Sequence, residues 1–231
     1  MAAAVLRTSG AVALMRTGRR MWRDEIPILA YHRVLDIAGD PEFDFDPELI
    51  SASVEDFDWQ MRYIQRHYTP ITFSHMLSAL DGVGTLPARP IIVTFDDGFD
   101  DNYRNAFPVL KSLGVPATFF IATGYIGQSR TFWFDWFFYL CGEAKRRGVS
   151  VRIDSTEFNF ADEQGDASRR AALAQLWVVP DSERRAAIRR LEAALALDQP
   201  EDGFSRSRPM MWEHVQEMAA HGMEIGSHTV S

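Results

Sequence analysis

The chain has 231 residues, 46% hydrophobic and 24% charged, the composition of a globular protein with room for one large domain or two small ones. A net charge of −8 argues against a nucleic-acid surface, and a single cysteine, Cys141, excludes an internal disulfide. The charge is uneven: residues 1–23 hold Arg7, Arg16, Arg19, Arg20 and Arg23 and no acid, which leaves −13 on the remainder.

Residues 1–25 read as a basic, Ala/Arg-rich leader. It fits a surface helix or tail, an interfacial helix in contact with a membrane surface, or a targeting peptide. Its apolar stretches are too short to span a bilayer, and no other segment approaches that length. Location therefore stays open between the cytoplasm and the cell envelope, and oligomeric state is not legible.

A domain is expected over residues 26–231. Ile26 to His32 form a short apolar run ending in a polar pair, the natural first strand. After an acidic loop, Phe57, Met61, Ile64 and Tyr68 recur at helical spacing. A second short helix fits residues 74–80, with Ser74 as its N-cap. Ile91, Ile92, Val93, Thr94 and Phe95 then make a β-branched and aromatic run, which predicts a buried parallel strand. Pro108 and Gly114 bracket a short helix around Val109, Leu110 and Leu113, and residues 116–122 form a third strand. Strand, helix, strand at this spacing is a βαβ unit, so the sheet should be parallel.

Residues 130–205 look like an insertion between the third and fourth strands. Residues 132–140 are unusually aromatic and are expected to form a helix packed on the sheet, or else to line a substrate groove. Helical stretches follow at 168–176 and 182–197, broken near Pro180. Val215, Met218 and Ala219 give a short helix closed by His221 and Gly222, and Glu224 to His228 a fourth strand.

The chemistry concentrates at two strand ends. Asp96 and Asp97 stand at the carboxyl end of this buried strand, the second in chain order, followed at once by Gly98, and Asp100 and Asp101 make four acids within six residues. Adjacent carboxylates there are costly unless a metal, a proton or a cation compensates them, and this is the end of a parallel strand where α/β folds place active sites. A calcium loop fails, because the ligands do not alternate and the glycine is misplaced. His228 ends the fourth strand as Asp97 ends the second, so both should face one mouth, and carboxylate with imidazole suits zinc or a similar divalent ion. His32 could border the same mouth and touch substrate. His67, His75, His214 and His221 fall on helix surfaces or loops, where solvation is the default.

Thr94-Phe95-Asp96-Asp97-Gly98 resembles the first motif of the polysaccharide deacetylases, the NodB homology domain of carbohydrate esterase family four. His228-Thr229 resembles the start of their second motif, His-Ser/Thr-x-x-His. The segments from Ile28 to Val34 and from Pro116 to Phe120, and the aromatic insertion, are also similar to this family. The resemblance implies a distorted (β/α) barrel of seven strands and a metal-dependent hydrolase, usually with zinc, that removes N-acetyl groups from a polysaccharide or amino sugar. It implies that Asp97 is a metal ligand, Asp96 the general base and His228 the first histidine ligand. Such an ion lowers the pKa of a bound water toward ~7, and a nearby carboxylate takes its proton.

Four residues beyond His228 would be position 232, whereas the sequence stops at Ser231. With four strands counted, the expectation is the amino-terminal portion of a deacetylase. It should bind zinc weakly for want of donors and present an open sheet edge that invites association. The alternatives are a non-catalytic or partner-completed glycan-binding module and a phosphatase-like enzyme. The last is disfavoured because no Gly-rich phosphate cradle lies near Asp96.

Overall fold

The computed structural model describes residues 25–37, 40, 43–153, 156–158, 160 and 165–230. The basic leader, apart from residue 25, lies outside them. The elements run β1 (Ile28–Tyr31), β2 (Arg33–Val34), β3 (Ile50–Ala52), α1 (Val54–His67), β4 (Thr69–Pro70), α2 (Phe73–Leu80), β5 (Pro90–Phe95), α3 (Phe107–Leu113), β6 (Thr118–Ile121), α4 (Trp133–Arg147), β7 (Val151–Ile153), β8 (Thr156–Phe158), α5 (Gly165–Val178), α6 (Asp181–Leu195), α7 (Trp212–Ala220) and β9 (Glu224–Ser227).

All four expected strands form, in one parallel sheet ordered β1-β5-β6-β9, and two residues of β4 pair with the start of β5. Successive side chains alternate between the faces of a strand. One face is closed by α1 and α3, with Tyr31, Phe57, Phe95 and Phe119 at the centre of the core. The rings of Phe95 and Phe119 stack at 4.7 Å, those of Tyr31 and Phe95 at 5.3 Å, and Phe57 meets both of the latter pair edge-on. The other face is open along β1, where Ile28 and Ala30 are exposed. Further along, Phe73 of α2 covers Phe120, and Gly226 leaves room for the Phe120 ring, which a Cβ would meet at 2.6 Å. Among the described residues β1 and β9 have no second neighbour, so the sheet has two free edges.

Two expectations need correction. The N-cap of α2 is Thr72, whose hydroxyl accepts from the His75 amide. The Ser74 amide and hydroxyl instead serve Glu224 of β9, which also takes the Phe73 amide; that anion over a helix N-terminus is held below the usual carboxylate range by these hydrogen bonds, against the opposing pull of burial. The aromatic run does form a buried helix, α4, but not one packed on the sheet. Its side chains join α5, α6, Phe99, Ala122 and Tyr125 in a second cluster, apart from the core under the sheet. A stretch this apolar on every side needs cover all round, and the insertion's other helices supply it together with Phe99, Ala122 and Tyr125. The polar segment between α4 and α5 carries an antiparallel pair, β7 with β8. The insertion is drawn together at its neck, where Thr131 accepts from the Phe204 amide on its hydroxyl and from the Gln199 amide group on its carbonyl.

Phe57→Ala should cost ~3–5 kcal/mol, because the ring is fully buried between two aromatic neighbours that cannot close the gap. Urea denaturation followed by circular dichroism measures it.

Candidate functional site

Strand β5 ends at Phe95, and the backbone beyond it is tied on both sides. The Asp96 amide donates to Tyr31 O at 2.9 Å, and Asp97 O accepts from the Ala122 amide at 3.0 Å. The Gly98 amide donates to Asp96 O at 2.9 Å across Asp97, whose φ is +71°. An i to i+2 hydrogen bond around a residue of positive φ is the rare, strained form of γ-turn, and a non-glycine residue held in this region costs of order 1–3 kcal/mol. Gly98 follows at φ +87°, and a Cβ there would meet Ile126 Cδ1 at 2.9 Å. The tight turn ends the strand at the mouth.

His228 directly follows β9, and its amide donates to Ile121 O. Its Nε2 stands 3.6 Å from Asp97 Oδ1. The Asp97 side chain is 13% exposed and that of His228 43%, so the carboxylate is sunk at the base of the mouth with the imidazole above it. Burial pushes the Asp97 carboxyl above its ordinary range; His32 and His228 pull it back and Asp96 adds to the rise. His32 sits at the bend between β1 and β2, its amide on Ser51 Oγ at 2.9 Å. Three strand ends thus bring Asp96, Asp97, His228 and His32 into one electrostatic neighbourhood.

The second acid pair is built for something else. Asp101 is buried against Arg33: Arg33 Nε donates to Asp101 Oδ2 at 2.9 Å and the Val34 amide to Asp101 Oδ1 at 3.1 Å. Asn102 Nδ2 donates to His32 O and Asn105 Nδ2 to Val34 O, each at 2.8 Å, from the turn of π-helix at Asn102–Ala106. These contacts clamp the acid loop onto the segment that carries His32. Asp100 binds Arg104 and faces His214 Nδ1 at 3.3 Å, and His214 stacks on Tyr103 at 4.0 Å. His214 is therefore a packed residue, not a solvated one, because the α7 face that carries it lies against this turn.

Arg33 and Asp135 are the residues that sequence reasoning missed. Arg33 is 2% exposed, lies 4.3 Å over the Phe99 ring, and reaches with Nη1 to 3.7 Å from Asp135 Oδ2. Asp135, inside α4 and fully buried, also accepts from Ser207 Oγ. Burial raises the Asp135 carboxyl to about 6 against the pull of Arg33 and the Ser207 hydroxyl. One buried cation therefore joins the first strand, the acid loop and the insertion. A charged residue inside an aromatic run was the available signal, since such a residue must find a partner if the run is buried.

The donors fit a divalent ion in part. Two ligands about 2.0–2.2 Å from a tetrahedral ion stand roughly 3.4 Å apart, close to the 3.6 Å between Asp97 Oδ1 and His228 Nε2. Among the described residues no group of three His, Cys, Asp or Glu completes a set. This chain would hold the ion through Asp97 and His228.

Arg33→Met should cost ~3–5 kcal/mol in chemical denaturation, because it strands two buried carboxylates. Asp135→Asn should alter the pH dependence. A carboxyl whose pKa is raised on folding stabilises the fold while protonated and loses that contribution as pH rises from about 3.8 to about 6. The stability of the variant relative to the parent should therefore increase across that window and level off above it, read from urea midpoints at pH 4 and pH 7.

A family model for polysaccharide deacetylase matches residues 83–231. A poly-β-1,6-N-acetyl-D-glucosamine N-deacetylase of Staphylococcus aureus is 32% identical over 78 residues, 34% of this chain and 27% of that protein. The polysaccharide deacetylase candidate YxkH of Bacillus subtilis is 26% identical over 151 residues, 64% of this chain and 49% of its own length. This chain thus spans about a quarter to a half of these curated relatives. Among solved structures, a de-N-acetylase from Aggregatibacter actinomycetemcomitans aligns at TM-score 0.48 and 19% identity over 89% of this chain and 55% of that one. With the family model covering well over half of its residues, the chain belongs to the polysaccharide deacetylase family.

Proposed function

We propose that the chain carries part of a metal-dependent N-deacetylase acting on an N-acetylated polysaccharide or amino sugar, with zinc as the ion. The observation that carries the reading is the approach of His228 to Asp97 at a shared mouth, 3.6 Å apart across 131 residues of sequence. In this reading Asp97 and His228 fill part of the ion's shell. The ion would polarise the amide carbonyl and acidify a water. Asp96, adjacent to Asp97 on the same turn, would take the proton at its carboxylate, and His32 would border the substrate. The open parallel sheet is read as part of a seven-stranded distorted barrel. S. aureus poly-β-1,6-N-acetyl-D-glucosamine N-deacetylase supplies a substrate to try first.

The test is acetate release from N-acetylglucosamine oligomers with and without added zinc, in this chain and in a form extended past Ser231. Asp96→Asn should reduce release by ~10²-fold or more, and chelation should remove it. Oligomer binding that survives both Asp96→Asn and chelation, without acetate release in either form, would replace the enzyme by a glycan-binding module.

Asp97→Asn should separate the site's two demands. Without metal it should raise stability by ~1 kcal/mol at pH 7, because it removes a buried charge. It should also abolish the rise in melting temperature that added zinc gives the parent.

A further inference from the structure

A second concavity lies away from Asp97, in the insertion. Between α4, α6 and the segment that follows β6 is a cleft of about 230 Å3, smaller than the ~300–1,000 Å3 that receives drug-sized ligands. Arg130, Trp133, Trp136, Arg185, Arg189 and Glu192 are among its walls. Four arginines, Arg130, Arg184, Arg185 and Arg189, stand there against two acids. Asp181 is held by Arg184 and Arg185, and Glu192 Oε1 accepts from Trp136 Nε1 at 2.6 Å. Arg189 is exposed and has no hydrogen bond or ion pair among the described residues. Arg130 is exposed, donates to the neutral carbonyl of Gly124 at 3.0 Å and lies 4.4 Å over the Tyr125 ring. The cleft therefore carries more guanidinium than carboxylate charge, with the nearly buried rings of Tyr125, Trp133 and Trp136 behind it, in a chain that is acidic overall.

Its position links it to the mouth. The Gly124 that Arg130 holds donates its own amide to Val230 O, two residues beyond His228. Guanidinium groups bind carboxylates in a bidentate fashion, and aromatic surfaces pack against the apolar C–H faces of saturated rings. We infer that this cleft binds one acidic sugar residue, a uronic acid, of the polysaccharide, gripping its carboxylate through Arg130 and Arg189. The inference rests on the reading of this chain as a polysaccharide-acting protein and narrows its substrate to an anionic polymer.

The experiment is calorimetric titration of the intact chain, without metal, with trigalacturonate, neutral chitotriose and inorganic phosphate. Because no turnover is involved, its failure leaves the deacetylase reading standing, and failure of acetate release leaves this result standing. Trigalacturonate should bind at least ~10-fold more tightly than chitotriose. Arg189→Ala and Arg130→Ala should each weaken it ~5-fold or more, with the far-ultraviolet spectrum unchanged because both side chains are exposed. Arg189→Lys should recover part of the loss, and binding should weaken as salt rises. Equal affinity for the neutral trisaccharide would overturn the inference, as would variants that bind like the parent. Phosphate binding as tightly as trigalacturonate and displacing it would also overturn it, by assigning the cleft to a free anion.

Discussion

A guanidinium withdrawn from water has to be neutralised where it stands, and the geometry of this domain follows from how that is done for Arg33. Asp101 comes to it from the loop after the central strand, Asp135 from the helix of the insertion, and the Phe99 ring covers its face. Each partner belongs to a different stretch of chain. Satisfying one cation therefore fixes the loop that carries Asp96 and Asp97 relative to His32, and fixes the insertion relative to both. The aspartates at the mouth and the aspartate that anchors the loop lie four residues apart but do opposite work, one pair facing the opening and one acid shut away from it.

The candidate site is held by its surroundings against its own preferences. Asp97 stands in a left-handed conformation and Thr229, next to His228, in another at φ +65°, both unfavourable for residues with a Cβ. Asp97 is also desolvated beside a second carboxylate. Backbone hydrogen bonds from three strands and from the segment at Arg208–Met210 absorb these costs: the Met210 amide donates to Gly98 O and the Asp100 amide to Arg208 O. A site of this kind is bound to be less stable than an ordinary strand end, and it trades that stability for a charge set in position before any ligand arrives.

The four strands of the parallel sheet were legible because each is a short run that ends in polar or turn-forming residues, and period and length suffice for that; β2, β3, β4, β7 and β8, of two or three residues each, are too short to carry such a pattern. The helices of the insertion were legible from Ala, Arg and Leu spacing, and the break at Pro180 falls between α5 and α6. The convergence of Asp97 with His228 was legible from topology, since parallel strands put like ends together. What sequence could not carry was direction within the acid cluster. Asp100 and Asp101 looked equivalent to Asp96 and Asp97 until the turn at Asp97 and the π-helical turn after it sent them elsewhere. Nor could local pattern pair Arg33 with Asp135, 102 residues away, or tell that an aromatic helix would be covered by the insertion's other helices and by Phe99, Ala122 and Tyr125 instead of by the sheet.

The clasp at Thr131, which gathers both ends of the insertion through its hydroxyl and its carbonyl, has a consequence for how such a chain can change. A segment whose ends are fixed side by side adds only slowly to the entropy of closing the loop as it lengthens. Residues can therefore be gained or lost beyond the clasp, around the polar hairpin of β7 and β8, without disturbing the parent sheet. Variation in size belongs at that outer end; between Thr131 and Asp135 the register is pinned.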